Sequence, residues 1–261
     1  AGVNAGNSIA SGGNYNVTIG DEAGTAITTG DQNVFVGYAA GDATTTAGQN
    51  TALGYNALGA NITGAYNTAI GRNALLVTTG GSNTAVGGDA LTANTSGATN
   101  TAVGVSALAA NTTGSNNIAI GSDALDANTT QGNHVAIGTK ALTTNTTGQL
   151  NTAIGYSALE LNSDGDYNVA VGYKTLEANT TADNNTAVGY SALFKNTTGA
   201  GNVAVGAQAL DANTTAGSNT AVGTSALSAN TTGGNNTALG TGALLTNTTA
   251  SSNTGIGKDA L

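Results

Sequence analysis

The sequence contains no cysteine, proline, methionine or tryptophan, and it is poor in charged and aromatic residues. Charged residues make up 7% of the 261 positions and aromatic residues 4%. The lack of cysteine excludes disulfides and thiolate metal sites. Few large apolar side chains are available for a thick globular core, yet the low charge and the lack of proline are untypical of disordered chains. The composition therefore favours a stacked structure with a thin core.

The charge balance disfavours two classes of partner. The formal net charge is -9 and the isoelectric point is near 4.1. Nucleic acids and anionic membrane surfaces are bound by clusters of Lys and Arg. The basic residues here are scattered: Arg72, Lys140, Lys174, Lys195 and Lys258. No apolar run approaches the roughly 18 residues of a membrane span, so we expect no membrane insertion by this segment. The chain begins at Ala1 without a signal segment, and we interpret it as a mature protein or a fragment.

A repeat of 17 residues dominates what the sequence does contain. Each repeat opens with Asn, called position 0 from here on, followed by a phrase such as Thr-Ala-Val-Gly. One step, from Asn67 to Asn83, is 16 residues long, and His134 replaces Asn in one repeat. Position 4 is Gly in every repeat, and position 8 is Leu from the third repeat onward. The position-0 residues are Asn16, Asn33, Asn50, Asn67, Asn83, Asn100, Asn117, His134, Asn151, Asn168, Asn185, Asn202, Asn219, Asn236 and Asn253.

The repeat predicts an all-β fold, a repetitive parallel β-solenoid of about fifteen coils. Positions 1 to 3 form a strand, and we expect the β-branched residues at positions 1 and 3 to face the core and the Ala at position 2 to face outward. Leu at position 8 is expected in a second short strand, and Asn-Thr-Thr-Gly in a turn. At ~4.8 Å per coil the rod would be about 70 Å long. An exposed Ala stripe would be covered if three copies associated, so we expect a homotrimer.

The first two repeats differ from the rest because they lack Leu at position 8. We therefore divide the chain into an N-terminal divergent segment, residues 1–49, and the regular repeats, residues 50–261. The divergent segment is expected to be a capping end or a junction with a preceding domain.

Several phrases of the repeat resemble those of known protein families. Residues 133–138, Asn-His-Val-Ala-Ile-Gly, are similar to the head repeat of the trimeric autotransporter adhesins, and residues 33–41 are a second segment similar to it. Residues 151–159 with the following turn are similar to repeats in long fibre proteins of bacteriophages and environmental bacteria. The resemblance covers residues 14–261 and implies a left-handed parallel β-roll, assembled as a trimer, in an adhesin head or fibre shaft. The adhesin heads have a shorter repeat, and the extra residues here fall in the Asn-Thr-Thr-Gly turn.

The turn also creates a row of glycosylation sequons, Asn-x-Ser/Thr. If they were used, sugars would coat one edge of the rod. The alternative is that Asn and Thr are simply good turn formers, and both interpretations stay open here. The candidate sites are Asn61, Asn94, Asn111, Asn128, Asn145, Asn179, Asn196, Asn213, Asn230 and Asn247.

Two further rows are candidates for a structural or a binding role. The position-0 Asn side chains are expected to form a hydrogen-bonded ladder along the axis, and His134 to be a tolerated replacement within it. Aromatic residues follow the position-4 Gly in five repeats, where they could bind sugars or proteins or simply pack along the surface: Tyr38, Tyr55, Tyr156, Tyr173 and Tyr190.

The sequence shows no pattern typical of catalysis or of a cofactor site. A lone His without Cys cannot build a usual transition-metal site. Asp164 and Asp166 flank a Gly in one turn and could bind Ca²⁺, but a complete calcium loop has more ligands, so we favour a solvated turn variant. We predict no enzymatic activity, no cofactor and no resident metal.

The function predicted from these patterns is a structural or adhesive extracellular fibre segment, on a cell surface or a virion. Its partners would be copies of itself and, at the surface, a host protein or glycan. The alternatives are a bacteriophage tail-fibre shaft, a self-assembling extracellular filament subunit that carries sugars, and an ice-binding solenoid. We rank ice binding last because it calls for flat Thr arrays, while the Thr at position 1 is expected to face the core.

Overall fold

The computed structural model describes residues 2–9 and 12–261, and this part of the chain contains fifteen short strands and no helix. Each strand is three residues long and covers positions 1 to 3 of one repeat. The strands are β1 (Val17–Ile19), β2 (Val34–Val36), β3 (Thr51–Leu53), β4 (Thr68–Ile70), β5 (Thr84–Val86), β6 (Thr101–Val103), β7 (Ile118–Ile120), β8 (Val135–Ile137), β9 (Thr152–Ile154), β10 (Val169–Val171), β11 (Thr186–Val188), β12 (Val203–Val205), β13 (Thr220–Val222), β14 (Thr237–Leu239) and β15 (Thr254–Ile256).

The chain forms two compact units, Ala1–Gly132 and Asn133–Leu261. In the first unit β1 to β7 pair in chain order, all parallel, and in the second unit β8 to β15 do the same. Each strand pairs with the equivalent residues one repeat later, for example Val169 with Thr186. The predicted parallel β-solenoid is thus confirmed. Strands β1 and β2 follow the same register as the later strands of the first unit.

The direction of the strand side chains is the reverse of the prediction. Ala at position 2 is fully buried in every coil from Ala52 to Ala238, whereas positions 1 and 3 are partly or largely exposed. The cause is the width of the coil. The interior already holds a buried Leu from position 8 and a buried Ala from position 7, and opposite them only a methyl group fits at the packing density of a protein core.

The second predicted strand is also wrong, because Leu at position 8 lies in a run of turns. From Leu58 to Leu244 these leucines have φ between 50° and 57°, the left-handed region. That conformation costs a non-glycine residue roughly 1–2 kcal/mol. Burying the Leu side chain stabilises by about 1.5–3 kcal/mol, and the Leu108 N–H donates to the Ala124 carbonyl of the next coil at 2.9 Å. Burial and coil-to-coil bonding together outweigh the strain.

In the divergent N-terminal coils, Phe35 replaces the missing leucines of the core. Position 8 is Gly24 and then Gly41, while position 2 of the second coil is Phe35 in place of Ala, and Phe35 is fully buried. A Cβ added at Gly41 would lie within 3 Å of three atoms of the Phe35 ring. Large and small residues have therefore exchanged places across the same interior space.

In the one short repeat, the residue that is missing is missing from the polar turn. Thr68 of β4 still pairs with Thr84 of β5, so the strand register is kept. Thr78 occupies the place of the turn Asn, and its Oγ1 accepts hydrogen bonds from the Gly80 N–H at 3.0 Å and the Asn94 Nδ2 at 3.2 Å. The turn can thus change length without disturbing the sheet.

Candidate functional site

The position-0 Asn side chains form the predicted ladder within each unit. The Oδ1 of one Asn accepts a hydrogen bond from the backbone N–H of the Asn one coil later, for example Asn83 to Asn100 at 3.0 Å and Asn185 to Asn202 at 2.9 Å. Nearly all these side chains are fully buried, and a buried amide is stable only when it is hydrogen-bonded. The row is therefore a structural element, as expected.

The turn Asn residues of the sequons form a second buried row. The Asn111 Nδ2 donates to the Gly114 carbonyl at 3.0 Å and to the Asn94 Oδ1 of the preceding coil at 2.8 Å. The Gly114 carbonyl also accepts the amide of Asn100 at 2.8 Å. One carbonyl thus receives two Asn amides of the same coil and holds its first and last segments together.

These contacts change the interpretation of the sequons. From Asn61 to Asn230 the sequon Asn side chains are fully buried, and only Asn247 is partly exposed. N-linked glycosylation replaces a hydrogen of Nδ2, and in this row Nδ2 typically donates two hydrogen bonds, as at Asn179, Asn196 and Asn213. From Asn61 to Asn230 the folded coil leaves no access to these nitrogens, so a sugar attached there before folding would disrupt the ladder. The structure therefore favours the turn-forming role of the motif.

His134 fills the ladder position of Asn with an imidazole. It is fully buried, and its Nδ1 accepts a hydrogen bond from the Asn151 backbone N–H at 3.2 Å, as an Asn Oδ1 does in other coils. Its Nε2 lies 3.5 Å from the Asn145 Nδ2. Burial lowers the pKa of His134 from 6.5 to about 4, because a charged imidazolium is poorly solvated there. The expected replacement within the Asn row is confirmed.

We expect His134 to make stability fall on acidification. The folded state keeps the imidazole neutral down to pH 4, while the unfolded chain takes up a proton below its pKa of 6.5. Stability is therefore full above pH 6.5 and decreases toward pH 4, by about 2–3 kcal/mol between pH 7.5 and 4.5. Denaturant unfolding of wild type and His134→Asn at both pH values measures this. Carboxylates titrate in both proteins, so the difference between them isolates His134. Equal pH dependence of the two would contradict the assignment.

Asp164 and Asp166 act as hydrogen-bond acceptors, both within a coil and between neighbouring coils. The Asp164 carboxylate accepts hydrogen bonds from the hydroxyls of Ser163 and Thr147. These two bonds lower the pKa of Asp164, and the bond from Ser163 has the larger effect. The Asp166 Oδ1 accepts the Gln149 backbone N–H at 2.7 Å. These contacts describe a solvated variant of the turn, the interpretation that we favoured over a Ca²⁺ site. In the described part of the chain no cluster of three or more His, Cys, Asp or Glu side chains could hold a metal ion.

The five tyrosines form two stacked rows on the surface. The rings of Tyr38 and Tyr55 are stacked with centroids 5.3 Å apart, and those of Tyr156, Tyr173 and Tyr190 follow at 5.4 and 5.5 Å. Their exposed fractions range from 44% to 56%. Neighbouring rings cover each other's facing sides, so Tyr173, which has a neighbour on both faces, presents mainly its ring edge and hydroxyl group. Glu22 raises the pKa of the Tyr38 phenol through its charge and a hydrogen bond.

Within each unit an uncharged, largely aliphatic surface runs along the strands, and the sequence prediction missed it. We call the outward side chains at positions 1 and 3 the outer sheet face. In all described strands they are Thr, Val, Ile or Leu, and Val188 and Val205 are each 36% exposed. Ala, Thr and Val alternate without a charged residue, so polarity alone could not orient the strand. The sequence did carry one indication of the orientation. In the second repeat position 2 is the large residue Phe35, while position 8 is the small residue Gly41.

Comparison with known protein families finds no family model that matches the chain, and comparison with curated proteins finds no matching relative. Within residues 2–9 and 12–261 there is no helix long and apolar enough to cross a membrane. The chemical argument for a function therefore starts from the surfaces described above.

Proposed function

We propose that the chain is a structural and adhesive segment of an extracellular fibre, in which identical copies associate through the outer sheet face. The observation that supports this is the composition of that face. In the second unit it spans eight strands, β8 to β15, about 35 Å at ~4.8 Å per strand, with Thr, Val, Ile or Leu at every outward position. Extended exposed apolar patches mark interaction sites.

The charge distribution favours a second copy of the chain as the partner. A net charge of -9 opposes the approach of identical copies wherever carboxylates face each other. No Asp or Glu lies at positions 1 or 3 of the described strands, so the outer sheet face avoids this repulsion. Closed rotational symmetry suits identical chains. We propose a homotrimer, now through this face and not through the Ala stripe, which is buried.

Three settings are compatible with this proposal. An adhesin head or shaft, a bacteriophage tail-fibre shaft and a filament subunit all need a long, uniform, self-associating segment. They differ in the domains that flank it, so the sequence of the full gene distinguishes them. The proposal includes an extracellular location and a host protein or glycan as the adhesive partner, and it assigns no enzymatic activity, nucleic acid or cofactor.

We expect Val188→Glu/Val205→Glu to dissociate the assembly. Both side chains lie on the outer sheet face in adjacent strands, and like charges placed together in an interface cost several kcal/mol. The dissociation constant should rise at least about 100-fold. Analytical ultracentrifugation measures this, with a wild-type mass of three chains as the expected result.

The matched control is Thr198→Glu/Thr215→Glu, which adds the same charges in the same two coils on the exposed turn edge. It should assemble like wild type. Circular dichroism shows whether each variant keeps its fold. A wild-type chain that stays monomeric at micromolar concentration would overturn the proposal.

Ice binding is a second candidate, because one argument against it was wrong. The Thr residues at position 1 face outward and not toward the core; they are Thr51, Thr68, Thr84, Thr101, Thr152, Thr186, Thr220, Thr237 and Thr254. Position 3 is aliphatic in every described strand, so the rows are Thr-x-aliphatic and not Thr-x-Thr. A thermal hysteresis assay separates the candidates: self-association through this face predicts none, and measurable hysteresis would favour ice binding.

A further inference from the structure

The paired tyrosines are placed where the coil itself does not need them. Position 5 carries Asp, Arg, Gly, Val, Ser, Thr, Ala or Lys in the other repeats, so no packing requirement selects Tyr. All five tyrosines at this position have another in an adjacent coil. Tyr15, Tyr66 and Tyr167 precede a position-0 Asn in coils that are not adjacent, and they form no stacked pair with one another.

We propose that the two stacked rows are sites of oxidative modification, at which neighbouring coils become joined by a dityrosine bond. The oxidant is a peroxide acting through a haem peroxidase. Each of two phenols loses one electron and its hydroxyl proton, giving two phenoxyl radicals. These form one carbon–carbon bond between the ring positions ortho to the oxygens. The two ortho hydrogens leave as protons and the phenolic oxygens are reprotonated, so two phenols and one hydrogen peroxide give one dityrosine and two water molecules.

The geometry favours coupling within one chain. Radical coupling requires two phenoxyl rings to meet, and here the rings are held with their centroids 5.3 to 5.5 Å apart and their planes within 13° of parallel. Holding two reacting groups together replaces a bimolecular encounter by a far more frequent intramolecular one. Since about half of each side chain is exposed, an oxidant can reach the rings, and the rings can turn to bring their ortho carbons together.

The Tyr row of the second unit also carries a neighbouring cation. The Lys174 Nζ lies 6.0 Å from the centre of the Tyr173 ring and 2.9 Å from the Glu177 Oε1. Its ion pair with Glu177 holds the ammonium group beside the row. Tyr173 is the central ring of the row and can couple to either neighbour. One chain can therefore form one bond in this row and one between Tyr38 and Tyr55.

The test is oxidation of the folded full-length chain by hydrogen peroxide and a peroxidase, followed by digestion and mass spectrometry. We expect blue dityrosine fluorescence, a loss of two hydrogen atoms per cross-link, and a chain that still migrates as a monomer on a denaturing gel. The linked peptides should contain Tyr38 with Tyr55, and Tyr173 with Tyr156 or Tyr190.

Tyr173→Phe keeps an aromatic ring in the stack but removes the central phenol. Tyr156 and Tyr190 are two coils apart, about 10 Å, so the cross-link of the second unit should be lost while that of Tyr38 and Tyr55 remains as an internal reference. Tyr167→Phe is the matched control and should leave both cross-links intact. The proposal is overturned if the folded chain gives no intrachain dityrosine, if the yield is the same in the denatured chain, or if Tyr173→Phe changes nothing.

Discussion

Gly87→Ala is expected to destabilise the protein by several kcal/mol, although it adds a single methyl group. Gly87 has φ of 138°, and a Cβ at this position would lie within 3 Å of the Gly104 backbone in the next coil. A strained φ/ψ costs about 1–3 kcal/mol, and forcing an extra group into packed structure typically costs another 1–3 kcal/mol. The loss should be roughly 2–6 kcal/mol, measured as the free energy of unfolding in guanidinium chloride.

The adjacent residue gives an unusually close control. Gly88 has no atom within 4 Å of an added Cβ and is not among the glycines with positive φ. Gly88→Ala should therefore be neutral, or stabilising by about 0.4–1 kcal/mol through the unfolded chain. Equal effects of the two substitutions would show that the position-4 Gly row does not hold neighbouring coils in close contact.

The second large effect is expected at Phe35 and Gly41, as a double-mutant cycle. Phe35→Ala leaves a cavity and should cost about 3–5 kcal/mol. Gly41→Leu alone should also destabilise strongly, because a Cβ there would meet the Phe35 ring. The two together restore the Ala and Leu of the regular repeats, as at Ala52 and Leu58. The double variant should thus be more stable than either single variant.

Thermal or denaturant unfolding of the four proteins measures the coupling between the two sites. Residues in direct contact usually couple by about 0.5–3 kcal/mol, and here the coupling should reach or exceed the upper end of that range. Phe35→Ala combined with a leucine at an exposed site such as Thr46 is the control, since it adds the same side chain outside the core. Simple additivity at Phe35 and Gly41 would mean that they do not share one interior space.

The sequence predicted the path of the chain well because the period alone defines it. Each strand starts at the residue after the position-0 Asn, as in Val135–Ile137, and consecutive strands pair one repeat apart. The sequence did not predict which face of the strand is buried, because no charged residue marks the solvent face of any described strand. It also gave no sign that Leu108 would adopt φ of 54°, a conformation for which Gly or Asn is the usual indicator.

The candidate sites were predicted less well, for one physical reason. A sequon motif records which residues follow one another, whereas the access of a nitrogen depends on where the coil closes. Asn111 matches the motif and is buried because its amide and that of Asn100 converge on the Gly114 carbonyl. Tyr173 is 45% exposed, and only the spacing of the coils shows that its ring faces are covered by the adjacent rings.

The short coil between Asn67 and Asn83 has a consequence for protein engineering. One residue is missing from its turn, and the strands on both sides keep their pairing. The turn between the buried Asn and the following Gly is therefore a place where peptide length can vary, as in Thr112 and Thr113, whose side chains are partly or fully exposed. Foreign epitopes grafted there in successive coils would be displayed about every 4.8 Å. The protein would then serve as a scaffold that presents many copies of an epitope at regular spacing.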